Sequence, residues 1–226
     1  MELELKRGGR TARVETLGGE LVSYRDERGL EYIWGGDPAY WPGRNPLLFP
    51  IVGMLKEGKI RFDGREYAME RHGFARRREF TPAARGEDWV RLELRESAET
   101  LALYPYPFRL AVEQRLTDTG FSTAVTVANP GEGPLPFCLG AHTGFRCPLE
   151  AGERFEDYEL VFPERESCPT LLLRDGLLDR PAALPCLEDT DTLPLDYRWF
   201  DALDTLIFEG LRSRSVTLRS RKSGRG

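Results

Sequence analysis

The sequence predicts an all-β fold of the sandwich or barrel type, and three observations carry that prediction. Short period-two or β-rich segments recur from the N-terminus onward, starting with ELELK at 2–6 and ARVETL at 12–17. Turn-forming glycines, prolines and charged residues separate them at close spacing. Helical periodicity is nearly absent. Strands that arrive this often, with so few helices between them, pack as two sheets or close into a barrel. The 226 residues fit one such unit, since β sandwiches reach roughly 200–250 residues as single domains. The whole chain, 1–226, is therefore expected to form one domain.

The elements follow in order. ELVSYRD at 20–26 and LEYIWGG at 30–36 read as strands parted by a charged turn, and Gly35, Gly36 and Pro38 end that run. The stretch 37–55 holds prolines at 38, 42, 46 and 50. Proline lacks a backbone donor, so this apolar piece cannot be a buried strand throughout. It reads either as a stiff aromatic loop lining a cleft or as a loop packed over a sandwich end, with Arg44 and Asn45 its polar candidates. Next, KIRFDGREYAM at 59–69 is a hairpin turning at Asp63-Gly64, a pair that accepts positive φ. A strand with Trp89 opposite Val90, Leu92 and Leu94 comes next, then a short helix at 97–103 capped by Ser97. RLAVEQRL at 109–116 and FSTAVTVAN at 121–129 form a second hairpin. A strand centred on Tyr158–Phe162 follows. Residues 163–196, rich in Pro, Asp and Leu, read as excursions from the sheet. FDALDTLIFEGL at 200–211 is expected to be extended, with Asp204, Leu206 and Phe208 on one face and Thr205, Ile207 and Glu209 on the other. The last piece, 215–226, starts as a strand and stops where a hairpin partner is expected.

Composition narrows the function. Lys and Arg total 32 against 37 Asp and Glu, a formal charge of -5, so nothing favours nucleic acid, which needs a basic footprint. No apolar run approaches the roughly 18 residues of a membrane span, and the start, MELELKRGGR, lacks the apolar core of a secretory signal. Cys138, Cys147, Cys168 and Cys186 contain no CxxC pair, which argues against zinc. They read as reduced thiols in a cytoplasm. There is neither a phosphate-cradling glycine loop nor a dinucleotide fingerprint, so no cofactor is expected.

Only two histidines exist, His72 and His142, so each counts for more in proton chemistry. His142 lies in PFCLGAHTGFRCP at 136–148. If that stretch is extended, Phe137, Leu139 and Ala141 point one way and pack. Cys138, Gly140, His142 and Gly144 point the other way, leaving one imidazole over a floor that a ligand can approach. A packed or surface histidine beside a glycine turn is the competing reading. His72 is followed by Gly73, which permits a sharp turn. Arg76 stands four residues on, and its guanidinium suits an anionic oxygen or a hydroxyl pair. Asp204 sits at a strand entrance, as a site residue or as a turn cap.

Four segments, NPLLFPIVG at 45–53, DGREYAMERHGFAR at 63–76, GAHTGFRCPL with FEDYELVF at 140–162, and LDTLIFEGL at 203–211, occur in one order. Together they resemble the aldose 1-epimerase (galactose mutarotase-like) family, in its branch of LacX-like proteins and hexose-6-phosphate epimerases. The resemblance implies a β-supersandwich with a cleft on one sheet face. It also implies interconversion of the α and β anomers of a hexose or hexose phosphate by acid and base ring opening, without a cofactor. His142 matches the family's acid, His72 its sugar-bonding histidine, Asp204 a sugar-binding aspartate, and Arg76 and Arg44 positions that contact substrate or its phosphate. No residue matches the family's C-terminal glutamate base, and the closing strands have no counterpart, so the domain reads as C-terminally incomplete. An open edge invites self-association, and Glu209 is a poor substitute base on the face argument. A sugar-binding module, or an inactive truncated remnant, is the alternative reading.

Overall fold

The computed structural model describes residues 1–201 and 203–225, without the side chains of 181–183. Strands dominate it, in sheets that do not close, and the chain forms two compact units, Met1–Arg146 and Cys147–Gly226. No helix among the described residues is long and apolar enough to cross a membrane.

In the first unit, β1 (Glu2–Arg7), β2 (Arg10–Glu15) and β3 (Glu20–Arg25) form an antiparallel meander. The pair β4 (Leu47–Leu48) stands alone in the proline-rich stretch. β5 (Lys59–Phe62) and β6 (Arg65–Ala68) make the expected hairpin, with Asp63 and Gly64 both at positive φ, 48° and 79°. β7 (Thr81–Arg85), β8 (Trp89–Arg95), helix α1 (Ala98–Leu103), β9 (Arg109–Leu116) and β10 (Phe121–Ala128) follow. The sheet order is β10-β9-β8-β7. Val90, Leu92 and Leu94 are buried on one face of β8, as their period-two spacing requires. Ser97 caps α1 by accepting the Thr100 N–H at 3.3 Å. β11 (Gly140–Ala141) closes the unit by pairing antiparallel with β4.

The core of this unit gathers Leu3, Leu5 and Val14 with Leu92, Leu110 and Leu116, and sets Phe49 among Phe74, Tyr104 and Phe108. The buried polar Gln114 is satisfied: its Nε2 donates to Gly19 O at 2.8 Å and its Oε1 accepts from Thr123 at 2.6 Å.

One expected strand of this unit does not form. Residues 30–36 make only isolated bridges, Arg25 to Glu31 and Ile33 to Phe145. The Glu31 carboxylate accepts the backbone N–H groups of Tyr24 and Ile33, at 2.9 and 3.0 Å. Those donors would otherwise serve a ladder.

The second unit corrects the sequence reading more heavily. Residues 163–196 are not excursions. They belong to β12 (Tyr158–Arg174) and β13 (Leu177–Pro194), one long antiparallel hairpin that turns at Asp175-Gly176, both at positive φ. Its register shifts between Val161 and Glu166 and between Cys168 and Thr170. Pro163 and Pro169 fall in those breaks, where no ladder donor is needed. Helix α2 (Arg198–Asp201) then replaces the start of the extended segment expected at 200–211; among its described residues only β14 (Ile207–Phe208) is strand, paired to Thr170 and Leu171. The terminal β15 (Thr217–Ser220) does find a partner, pairing residues 158–161 of β12 on the side opposite β13. A small core of Phe162, Cys168, Leu187 and Leu193 holds this unit together.

Candidate functional site

The two histidines stand in one hollow of the first unit. Its volume is about 300 Å³, and it is lined by Trp41, Pro46, Leu48, Arg71, His72, Arg76 and His142. The two imidazole rings lie 5.9 Å apart, centre to centre, edge toward face. Larger hollows of about 520 and 590 Å³ in the same unit hold no histidine.

His142 is carried by a half-made ladder. Gly140 and Ala141 pair with Leu48 and Leu47. Beyond them the N–H groups of Cys138, His142 and Gly144 donate to Pro50 O at 2.8 Å, Pro46 O at 3.1 Å and Arg44 O at 2.6 Å. An antiparallel pair of this kind normally exchanges two bonds. The return bond is lost at each of these three positions. Pro46 and Pro50 have no N–H, and the Arg44 N–H goes to the Glu20 carboxylate at 2.8 Å. The alternation expected at 138–144 therefore holds, with His142 toward the hollow. Its glycine neighbours, however, do not leave open space. Trp41 fills the room over Gly144 and Val52 that over Gly140. On the other face, Phe137 touches Phe49 yet remains 42% exposed, and Leu139 is 40% exposed. That face does not pack as its apolar residues had implied.

His72 is held in the opposite manner. Its backbone is left-handed, φ 68°, and the following Gly73 continues at 70°. A non-glycine residue in that region carries strain and persists only when its surroundings fix it. Here the His72 N–H donates to Gly53 O at 2.8 Å, while the Gly53 N–H donates to His72 Nδ1 at 3.0 Å. Gly73 is required: a Cβ there would lie 2.2 Å from Phe49 O. Because Nδ1 accepts, the proton of the neutral ring sits on Nε2. Burial, reinforced by the charges of Arg71 and Arg76 and by His142, pushes the His72 pKa down to about 4. At neutral pH it is an uncharged donor.

Arg76 follows in a 3-10 turn (Ala75–Arg77) and donates to Arg71 O at 2.9 Å. Its Nε is buried without a partner, the one such side-chain nitrogen or oxygen among the described residues. An orphaned donor is costly, so the guanidinium gains by turning to an acceptor that enters the hollow.

Of the residues singled out from the sequence, His72, His142 and Arg76 meet in the hollow. Arg44 does not line it; its guanidinium bonds Gly35 O at 3.2 Å and approaches Glu15 at 3.9 Å. Asn45 is buried and accepts from Thr143 at 2.6 Å. Asp204 belongs to the second unit, in an exposed bend, and Glu209 there is bound by Arg180. Two lining residues, Trp41 and Arg71, were missed. The available signal for Trp41 was an aromatic residue within a proline-stiffened loop; for Arg71 it was direct adjacency to His72.

The family model described as Aldose 1-epimerase matches residues 1–193. The plasmid-encoded protein LacX of Lactococcus lactis is 43% identical to this chain over an alignment of 234 residues, covering all of this chain and 78% of LacX. A galactose mutarotase related enzyme from Lactobacillus acidophilus superposes with a TM-score of 0.91 at 28% identity, over 98% of this chain and 74% of that one. A galactose mutarotase-like protein from Lactobacillus casei gives 0.85 at 30% identity, over 98% and 76% of the two chains. The matched family model spans both halves of the histidine hollow, and the chain belongs to the aldose 1-epimerase family.

Proposed function

We propose that this hollow binds a hexose, free or phosphorylated, in its cyclic form and that His142 delivers a proton to the ring oxygen while water takes the proton of the anomeric hydroxyl, so that the C1–ring oxygen bond breaks and the ring recloses as the other anomer. The observation that carries this reading is the pair of imidazoles 5.9 Å apart in one hollow, held in unlike surroundings. His72, neutral and with Nε2–H free to donate, suits a sugar hydroxyl. His142 has no side-chain hydrogen bond among the described residues, so its ring nitrogens are available for proton transfer. Arg71 and Arg76 make the rim cationic, fitting hydroxyl oxygens or a phosphate. Asp204 as a sugar-binding carboxylate rests on the family resemblance, and Asp204→Asn tests it through hexose affinity.

Among the described residues the hollow's lining includes no Asp or Glu, so this wall is assigned the acid half of the reaction and no base. That same observation supports a second reading, a sugar-binding protein without chemistry. Polarimetry and NMR exchange on α-glucose, α-galactose and their 6-phosphates separate the two. Acceleration over buffer supports the epimerase. Calorimetric binding with exchange at the buffer rate selects the binding protein. Neither binding nor acceleration with any of the four removes both.

A further inference from the structure

We infer that Trp41 is the platform on which the apolar C–H face of the sugar ring rests, and that the glycines at 43 and 144 exist to seat it. This deepens the reading of the hollow as a hexose site and rests on it. The indole lines the hollow and lies 5.0 Å from His142, ring centre to ring centre, tilted by 50°. It is held from several sides. A Cβ on Gly43 would come within 2.7 Å of the indole, and one on Gly144 within 2.8 Å. Both positions therefore provide a slot that any side chain would fill. The loop backbone is fixed as well. The Trp41 N–H donates to Asp37 O at 2.8 Å, the Trp34 indole N–H donates to Trp41 O at 2.8 Å, and the Asp37 carboxylate accepts from the Ala39 N–H at 2.9 Å.

Such a seat means that the ring does not have to be ordered when a ligand arrives, which is the preorganisation that strengthens binding. The remaining walls supply what an indole cannot. Arg71, His72 and Arg76 offer donors to oxygen, and Pro46 and Leu48 add apolar surface. A ligand that satisfies all of these has hydroxyls along its rim and a C–H face, which describes a pyranose. A flat polyanion would use the arginines and leave the indole bare. Stacking there also sets the ring edge beside His142, the group that handles the proton.

The test uses the full chain with α-glucose, α-galactose and their 6-phosphates as probes. Trp41→Leu keeps apolar bulk but loses the aromatic face; it is expected to weaken affinity for the best-bound probe about tenfold. Trp41→Phe keeps an aromatic face and is expected to lose about threefold. Gly144→Ala leaves the indole chemistry intact but displaces the ring, and should fall between the two. Sugar binding should change the tryptophan emission of the wild type, of Trp89→Phe and of Trp199→Phe, and leave Trp41→Phe silent. The inference is overturned if a probe binds the wild type and Trp41→Leu binds it within twofold, or if Trp41→Phe keeps the emission change. Should Trp41→Leu fail to fold, Trp41→Phe and Gly144→Ala still decide. A wild type that binds none of the probes instead defeats the hexose reading itself, and this inference with it.

Discussion

His72 and His142 face one hollow from two regions built on opposite principles. His72 sits in a turn that is over-determined. Its backbone is left-handed, its ring nitrogen accepts from Gly53, and the next residue tolerates no side chain. His142 follows β11 directly, in an exposed stretch tied by single backbone bonds, its ring beside Trp41. The first region fixes a tautomer and keeps a charge away. The second leaves its imidazole without a side-chain hydrogen bond among the described residues. Two identical side chains thus stand in unlike surroundings, set by backbone geometry and neighbouring groups.

The sharpest way to break this comparison is to remove the freer imidazole. His142→Gln should lower the rate of anomer exchange by about 10²–10⁴ at saturating sugar, with KM nearly unchanged, the mark of a lost proton donor. An equal loss in His72→Gln, read by the same polarimetric assay, would show that the two residues are not divided as described. Next in size is Gly73→Ala. The added Cβ would meet the Phe49 carbonyl, and its left-handed backbone is strained for alanine. A loss of about 2–4 kcal/mol in denaturant-derived stability is expected. A loss below 0.5 kcal/mol would mean that the His72 turn is not over-determined.

A smaller effect follows from pH. The unfolded chain takes up a proton on this histidine near pH 6.5, the folded one only near 4. Between those values the unfolded state holds more protons, so the His72 contribution is intact above pH 6.5 and is lost as pH falls toward 4. Screening by solvent at this half-buried ring leaves roughly 1–2 kcal/mol of the loss. Denaturation curves from pH 7 to 4 should show that slope, and His72→Asn should flatten it. An NMR titration in which His72 protonates near 6.5 would refute the argument. The smallest expected change is in binding. Asparagine accepts a left-handed backbone and keeps a donor, so His72→Asn should raise KM about threefold to tenfold and leave kcat within about threefold. A collapse of kcat instead would make His72 a proton carrier.

What the sequence made legible divides along the same physical lines. The hairpin at Asp63-Gly64, the alternation through Val90, Leu92 and Leu94, and the Ser97 cap were readable because each is a local rule, written within a few residues. The hairpin at Asp175-Gly176 carries the same turn pair, yet it was read as excursion. Five prolines across 163–194 outweighed the turn signal, and nothing local says that bulges will absorb them. Residues 30–36 failed for the converse reason. Their composition suits a strand, but the Glu31 carboxylate takes the Ile33 N–H, and the Tyr32 and Trp34 N–H groups go to two different neighbours, Tyr24 O and Gly144 O. The meeting of His72, Arg76 and His142 was anticipated through motif order. Trp41 was not, because its seat depends on Gly144, about a hundred residues away along the chain.

The ladder that carries His142 has a consequence of its own. With return bonds missing at Pro50, Pro46 and Arg44, only the pairs of Gly140 with Leu48 and Ala141 with Leu47 form a ladder in this seam. Parting it would break fewer hydrogen bonds than parting a full antiparallel pair of the same length. Pro46 and Pro50, which rule out a regular strand, thereby leave Cys138 and His142 each tied by one backbone hydrogen bond where a ladder would give two.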